Sequence, residues 1–325
     1  MDKFIEYYLE LNKSTSKSTS ITLKTSLRRI EKIINLKFED WGAETFNNYK
    51  EIVDILVEKY SVNTIIITTL AIIRFLEYKK NDEIFDDKTL ENWKEVLNDL
   101  VNMRDEAEKK QQITQHEKVN WISWNEIGKK VEDIAVNDYL VGQKSFLQMR
   151  NFVMLCLYTL QPPVRIGNFL DMKIRMNTKR NIKSYNKKWN YITKMDNGKY
   201  KMVFNQYKTA KTLGKIVHII EDETLTRILN RYINNFVIGD TLFTNSNGTK
   251  ITQANYTQAV QSVSKKILGK TLSINDFRHI FLSWFQSQNP SIEEKERITK
   301  LIGQKYTSSR MELYARKNDK EEMIV

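Results

Sequence analysis

The run Ser273-Ile274-Asn275-Asp276-Phe277-Arg278-His279-Ile280-Phe281 decides how this chain is read. Alone it is one arginine in a helix expected over 276–288. Pro163-Val164-Arg165 upstream and Glu312-Leu313-Tyr314 downstream change its meaning, because two guanidinium groups and a phenol can grip and attack a phosphodiester. A guanidinium matches two phosphate oxygens at once, which a lysine cannot do. Plainer readings stand beside this one: Arg165 capping the helix before it, Arg278 pairing with Asp276, and Tyr314 packing with Met311 and Leu313 in a last helix.

Composition bounds the function. A chain of 325 residues predicts two domains, and 41% hydrophobic residues allow each its own core. Lys and Arg number 52 against 40 Asp and Glu, a net charge of +12, which favours a polyanionic partner and nucleic acid above all. Cys156 is the only cysteine and lies in the apolar run 152–157, so an intrachain disulfide is excluded and a buried thiol in a reducing compartment is expected. His116, His218 and His279 are scattered without ligand spacing. This excludes a Cys/His zinc site and leaves a carboxylate-bound magnesium site open, and with no Gly-rich phosphate loop no cofactor is expected. The chain opens Met1-Asp2-Lys3-Phe4 and has no apolar stretch approaching the ~20 residues of a membrane span. An intracellular, DNA-associated protein, not bound to membranes, is the expectation.

Apolar periodicity predicts helices near 2–12, 21–34, 44–59, 63–80 and 88–103, the fourth apolar enough to sit centrally. Residues 1–104 read as a helical domain, the polar stretch 105–118 as a linker, and 119–325 as a second domain. That second domain starts with helices near 124–135 and 143–160, the latter buried all round and halted by Pro162-Pro163. Strands follow at Trp189–Thr193, Lys199–Tyr207 and Lys215–Ile220, joined by turns at Asp196-Asn197-Gly198 and near 211–214. The predicted fold class is therefore mainly α with a small three-stranded antiparallel β-sheet. Helices resume near 222–235, 252–268, 276–288 and 292–302, with a last short one over 308–317. The interleaving of Lys and Arg with Tyr185, Trp189, Tyr191 and Tyr200 over 175–201 suits phosphate contacts and aromatic packing on DNA.

From about residue 120 to 320 the chain resembles the tyrosine recombinase family, the phage-integrase type. Arg165 in Pro163-Val164-Arg165-Ile166-Gly167 is similar to that family's first arginine, and Lys208 in Tyr207-Lys208-Thr209-Ala210-Lys211 to its hairpin lysine, with Lys211 the runner-up. Arg278 matches the second arginine. Gly303-Gln304 stands where the family has a Gly-His pair, and Tyr314 stands where it has its nucleophile. The resemblance implies a two-domain clamp on double-stranded DNA, with 1–104 as core-binding domain and 119–325 as catalytic domain. It also implies a homotetramer on DNA, recombination through a 3′-phosphotyrosyl intermediate without metal or ATP, and an integrase of a viral or mobile element.

Three positions depart from the pattern. Asn275 replaces a His or Lys three residues before Arg278, Gln304 replaces a His or Trp, and Asn168 replaces an acidic residue three after Arg165. Neither Asn275 nor Gln304 can act as a general base, though both can donate a hydrogen bond to a phosphate. These changes leave room for proton transfer by His279 or His218. They also leave room for a protein that binds DNA without cutting it, and a type IB topoisomerase is the nearest alternative enzyme.

Overall fold

Aromatic side chains build the first part of the chain. Phe4, Phe38, Trp41, Phe46, Phe75 and Trp93 are all buried, and their rings meet in tilted and edge-to-face pairs. The structure is a computed structural model that describes residues 1–11, 17–80, 87–175, 188–304, 315 and 316. Helices α1 (Asp2–Leu11), α2 (Lys17–Ile34), α3 (Tyr49–Lys59) and α5 (Asp87–Lys109) surround α4 (Val62–Lys79), which buries Ile65, Ile72, Phe75 and Leu76. The Trp93 indole donates to the Phe46 carbonyl at 3.0 Å, which matches its buried N–H.

The chain divides into two compact units between Lys110 and Gln111. The polar stretch expected as a linker over 105–118 is largely helical. Residues 105–109 continue α5, because Glu, Ala and Lys are good helix formers and their polarity reflects exposure. Thr114 and Glu117 then form a reciprocal capping box that opens α6 (Gln115–Asn120).

The second unit is organised by α7 (Trp124–Ile134), a single π-turn at Ala135–Tyr139, and α8 (Phe146–Thr159), buried from Met149 to Thr159 apart from half-buried Asn151. Cys156 lies fully buried in α8, where burial pushes its thiol well above the ordinary range. The sheet corrects the expectation of three antiparallel strands. It has four, β1 (Lys173–Arg175), β2 (Tyr191–Lys194), β3 (Tyr200–Phe204) and β4 (Ile216–Ile219), in that order, with β1 parallel to β2 and the other pairs antiparallel. Three residues are too few to show a period of two, and β1 is held on its other side by 240–242. There Ile174 N–H donates to the Asp240 carbonyl at 2.7 Å and Leu242 N–H to the Met172 carbonyl at 2.9 Å.

A short helix, α9 (Ala210–Leu213), occupies the second expected turn, and α10 (Glu223–Asn235), α11 (Gln253–Leu268), α12 (Ile274–Ser287) and α13 (Ile292–Leu301) follow. Most of the last expected helix lies outside the described residues; Ala315 and Arg316 are not helical. Among the described residues, no helix is long and apolar enough to cross a membrane.

On β4, His218 Nε2 lies 2.9 Å from Gln161 Oε1, joining the sheet to the end of α8. Burial pushes the His218 pKa down to about 4, with Arg297 lowering it further and Glu221 opposing. The folded state thus resists a proton that the unfolded chain accepts near pH 6.5. Stability is full above that pH and falls by about 2 to 3 kcal/mol on acidification to roughly pH 4.5. A His218→Gln variant, compared with wild type by urea unfolding at both pH values, is expected to lose that share of the acid sensitivity.

Candidate active site

The burial of α8 fixes where Arg165 emerges. Leu160 N–H closes the helix on the Cys156 carbonyl at 2.9 Å, and Pro162 and Pro163 cannot extend it. The chain then runs extended through Arg165, at φ −71° and ψ 151°, into a single 3₁₀ turn at Ile166–Asn168. Arg165 does not cap α8. Its half-buried guanidinium donates through Nη1 to the Gly303 carbonyl at 2.6 Å, 138 residues away.

Gly303 is where α13 stops. Gln304 N–H bonds the Thr299 carbonyl at 2.8 Å and Gly303 N–H bonds that of Lys300 at 3.1 Å, the paired bonds of a Schellman cap. Such a cap needs a left-handed residue, and Gly303 has φ +71°. A Cβ there would also sit 3.4 Å from the Tyr207 ring and 3.7 Å from Arg165 Nη1. Gln304, 7% exposed, follows the cap, and its side-chain oxygen has no hydrogen-bond partner among the described residues.

The same carbonyl anchors the lysine loop. Thr209 Oγ1 donates to Gly303 O at 2.7 Å, while Tyr207 Oη donates to the Gly214 carbonyl at 2.5 Å. Lys208 sits exposed between two pinned neighbours, and Lys211 is exposed in α9. Asn190, 5% exposed, stitches this loop to the arginine loop. Its amide donates to the carbonyls of Asn168 at 3.0 Å and Gln206 at 2.7 Å, and its oxygen accepts from the N–H groups of Asn205 and Gln206 at 2.8 Å each.

Arg278 is 1% exposed on α12. Asp276, its suggested partner, instead forms the capping box with Ser273, its carboxylate accepting from Ser273 N–H at 2.7 Å. Neighbouring Phe277 stacks on Tyr158 of α8 at 6.3 Å, so Arg165 and Arg278 both hang from the α8 scaffold. Asn275 is exposed in the first turn, and His279 is half-buried with Nε2 3.4 Å from Arg316 Nη2. Tyr314 lies outside the described residues.

Sequence reasoning missed Asn190, Thr209 and Tyr207, whose roles are tertiary. Glu117 was also missed: it lay inside the expected linker, yet Thr114-x-x-Glu117 is a visible capping signature. Among the described residues around the basic and aromatic stretch, Lys173 Nζ lies 5.6 Å over the Trp189 ring and the Arg175 guanidinium 5.7 Å over Tyr191. Tyr200 is buried, and Tyr185 lies outside the described residues.

No family model matches the sequence, and no curated protein matches it. Solved structures do match. One is the XerH site-specific recombinase bound to its difH substrate in a pre-cleavage complex, 12% identical with a TM-score of 0.58, over 97% of this chain and 81% of that one. Another is a lambda integrase dimer bound to a COC′ core site, 11% identical with a TM-score of 0.54, over 97% and 94%. The Tn1549 transposon integrase in complex with transposon right end DNA is 14% identical with a TM-score of 0.51, over 97% and 94%. These likenesses span both units, and the fold that this chain adopts is that of the tyrosine recombinases.

Proposed function

We propose that this protein is a site-specific DNA recombinase that cuts and rejoins duplex DNA through a 3′-phosphotyrosyl intermediate on Tyr314. The observation that carries the reading is the Gly303 carbonyl, which accepts from both Arg165 and Thr209 and so draws the arginine loop, the lysine loop and Gly303-Gln304 to one point. In this reading 1–104 grips DNA as core-binding domain, 119–325 is the catalytic domain, and a homotetramer assembles on DNA. Integration or excision of a viral or mobile element is its use.

The Tyr314 phenol gives up its proton to water as its oxygen attacks phosphorus, and the bond from phosphorus to the 5′ oxygen breaks. Arg165 and Arg278 bind the non-bridging oxygens as charge gathers there. Lys208, exposed toward solvent and held by its neighbours, gives the leaving 5′ oxygen its proton, with Lys211 as the alternative donor. Gln304 and Asn275 act as hydrogen-bond donors to phosphate, since an amide cannot take a proton from the phenol. Attack by a 5′ hydroxyl on the phosphotyrosine reverses the step, so no external energy source enters.

The test uses nicked duplexes of randomised sequence, with trapped protein–DNA adducts resolved on denaturing gels and their DNA sequenced. Wild type is expected to form an adduct on a defined site, and Tyr314→Phe none. Arg278→Lys and Arg165→Lys are expected to lower the rate on that site by about 100- to 1,000-fold. Binding of a defined site with no adduct would leave a DNA-binding protein without cleavage and sink the enzyme reading. Relaxation of supercoiled DNA without joining of two labelled duplexes would favour a type IB topoisomerase.

Gly303→Ala places a Cβ on a left-handed residue against Tyr207. It is expected to cost about 1 to 2 kcal/mol of stability in urea unfolding, and to slow adduct formation by moving the carbonyl that Arg165 grips.

A further inference from the structure

The two described residues after Tyr314 are firmly seated. Ala315 is fully buried, and Arg316 N–H donates to Ser283 Oγ at 2.8 Å, on the same helix as Arg278. Ser283 Oγ in turn donates to the His279 carbonyl at 2.8 Å, so its lone pairs are aimed at the incoming chain. The Arg316 side chain bonds Glu117 through Nε at 2.8 Å, with side-chain exposures of only 16% and 9%.

Glu117 is built to receive it. One carboxylate oxygen takes Arg316 and the other takes Thr114 N–H at 2.9 Å, at the start of α6. Burial pushes the Glu117 carboxyl upward, but the Thr114 N–H and the Arg316 guanidinium outweigh it and hold the group below its ordinary value. It therefore stays charged through neutral pH. Lys270 Nζ fixes the far end of α6 by donating to the Val119 carbonyl at 2.7 Å.

Two residues span at most about 7 Å of extended chain, so whatever holds Arg316 limits the reach of Tyr314. Resting on the function proposed above, we propose that Glu117 and Arg316 are positioning residues for the nucleophile. Their ion pair, with the Ser283 bond, clasps the chain just past Tyr314 onto α6 and α12 and keeps the phenol within reach of the phosphate that Arg278 binds. Neither residue touches the reacting atoms. Glu117 lies seven residues past the division between the units, so the nucleophile is registered to the first helix of the catalytic unit.

The experiment compares full-length wild type, Glu117→Gln, Arg316→Gln and the charge-swapped Glu117→Arg/Arg316→Glu protein, on the duplex selected by wild type from the randomised library. Adduct formation at saturating DNA is expected to slow at least tenfold in each single variant while half-saturating DNA changes less than twofold. The swapped protein is expected to recover to within about threefold of wild type, a rescue that a general loss of packing would not give. Amide hydrogen exchange of the peptide carrying Arg316 is expected to quicken in the single variants and to slow again in the swap. If the single variants react at the wild-type rate, or if rate and DNA affinity fall together with melting temperature and the swap restores neither, the clasp is refuted. Failure of wild type itself to form an adduct would refute the recombinase reading instead, and the exchange measurement alone would then decide whether the clasp holds the chain.

Discussion

One carbonyl oxygen organises the second unit. Gly303 O accepts from Arg165 and from Thr209, filling both its lone pairs with donors from the segment before β1 and the loop between β3 and β4. A hydrogen bond from a charged donor contributes about 1.5 to 3 kcal/mol net, so the energy is modest. The geometry matters more. The carbonyl is free to accept because α13 has ended: in a continuing helix it would be taken by an N–H four residues on, and the left-handed turn aims it sideways. The arrangement of Arg165 is thus a consequence of a helix stop.

The polar groups around this point divide into those already matched and those held open. Asn190 uses its amide oxygen and nitrogen four times, which makes it a rigid strut between the arginine loop and the lysine loop. Gln304 is nearly as buried, yet its oxygen is unmatched among the described residues, as is the Asn168 amide nitrogen. A buried unmatched amide atom costs about 1 to 3 kcal/mol.

Much of this was legible before any coordinates. The arginine box, the buried helix ended by two prolines, and the strands around the Asp196-Asn197-Gly198 turn all carry strong local signals, because apolar periodicity and turn chemistry act over a few residues. What escaped acts over distance or is too short. Strand β1 has three residues and is specified by its neighbours at 190–192 and 240–242. The bond from Arg165 spans 138 residues, and nothing local to either end announces it. The stretch 105–118, expected as a linker from its polarity, holds the division between the two units and is also largely helical, as helix propensity in Asp105–Lys109 and the Thr114–Glu117 box dictate.

The Glu117–Arg316 pair closes a span of 199 residues, bringing the first helix of the second unit against its last described segment. Ribosomes deliver these partners in a fixed order, Glu117 first and Arg316 199 residues later. Until Arg316 emerges, the chain folds with an acidic group at α6 that lacks its counter-charge. A polypeptide halted before Arg316 would keep the Glu117 carboxylate buried with only its own helix cap to satisfy it, so the later-made partner of this pair offsets a burial cost set by the earlier one.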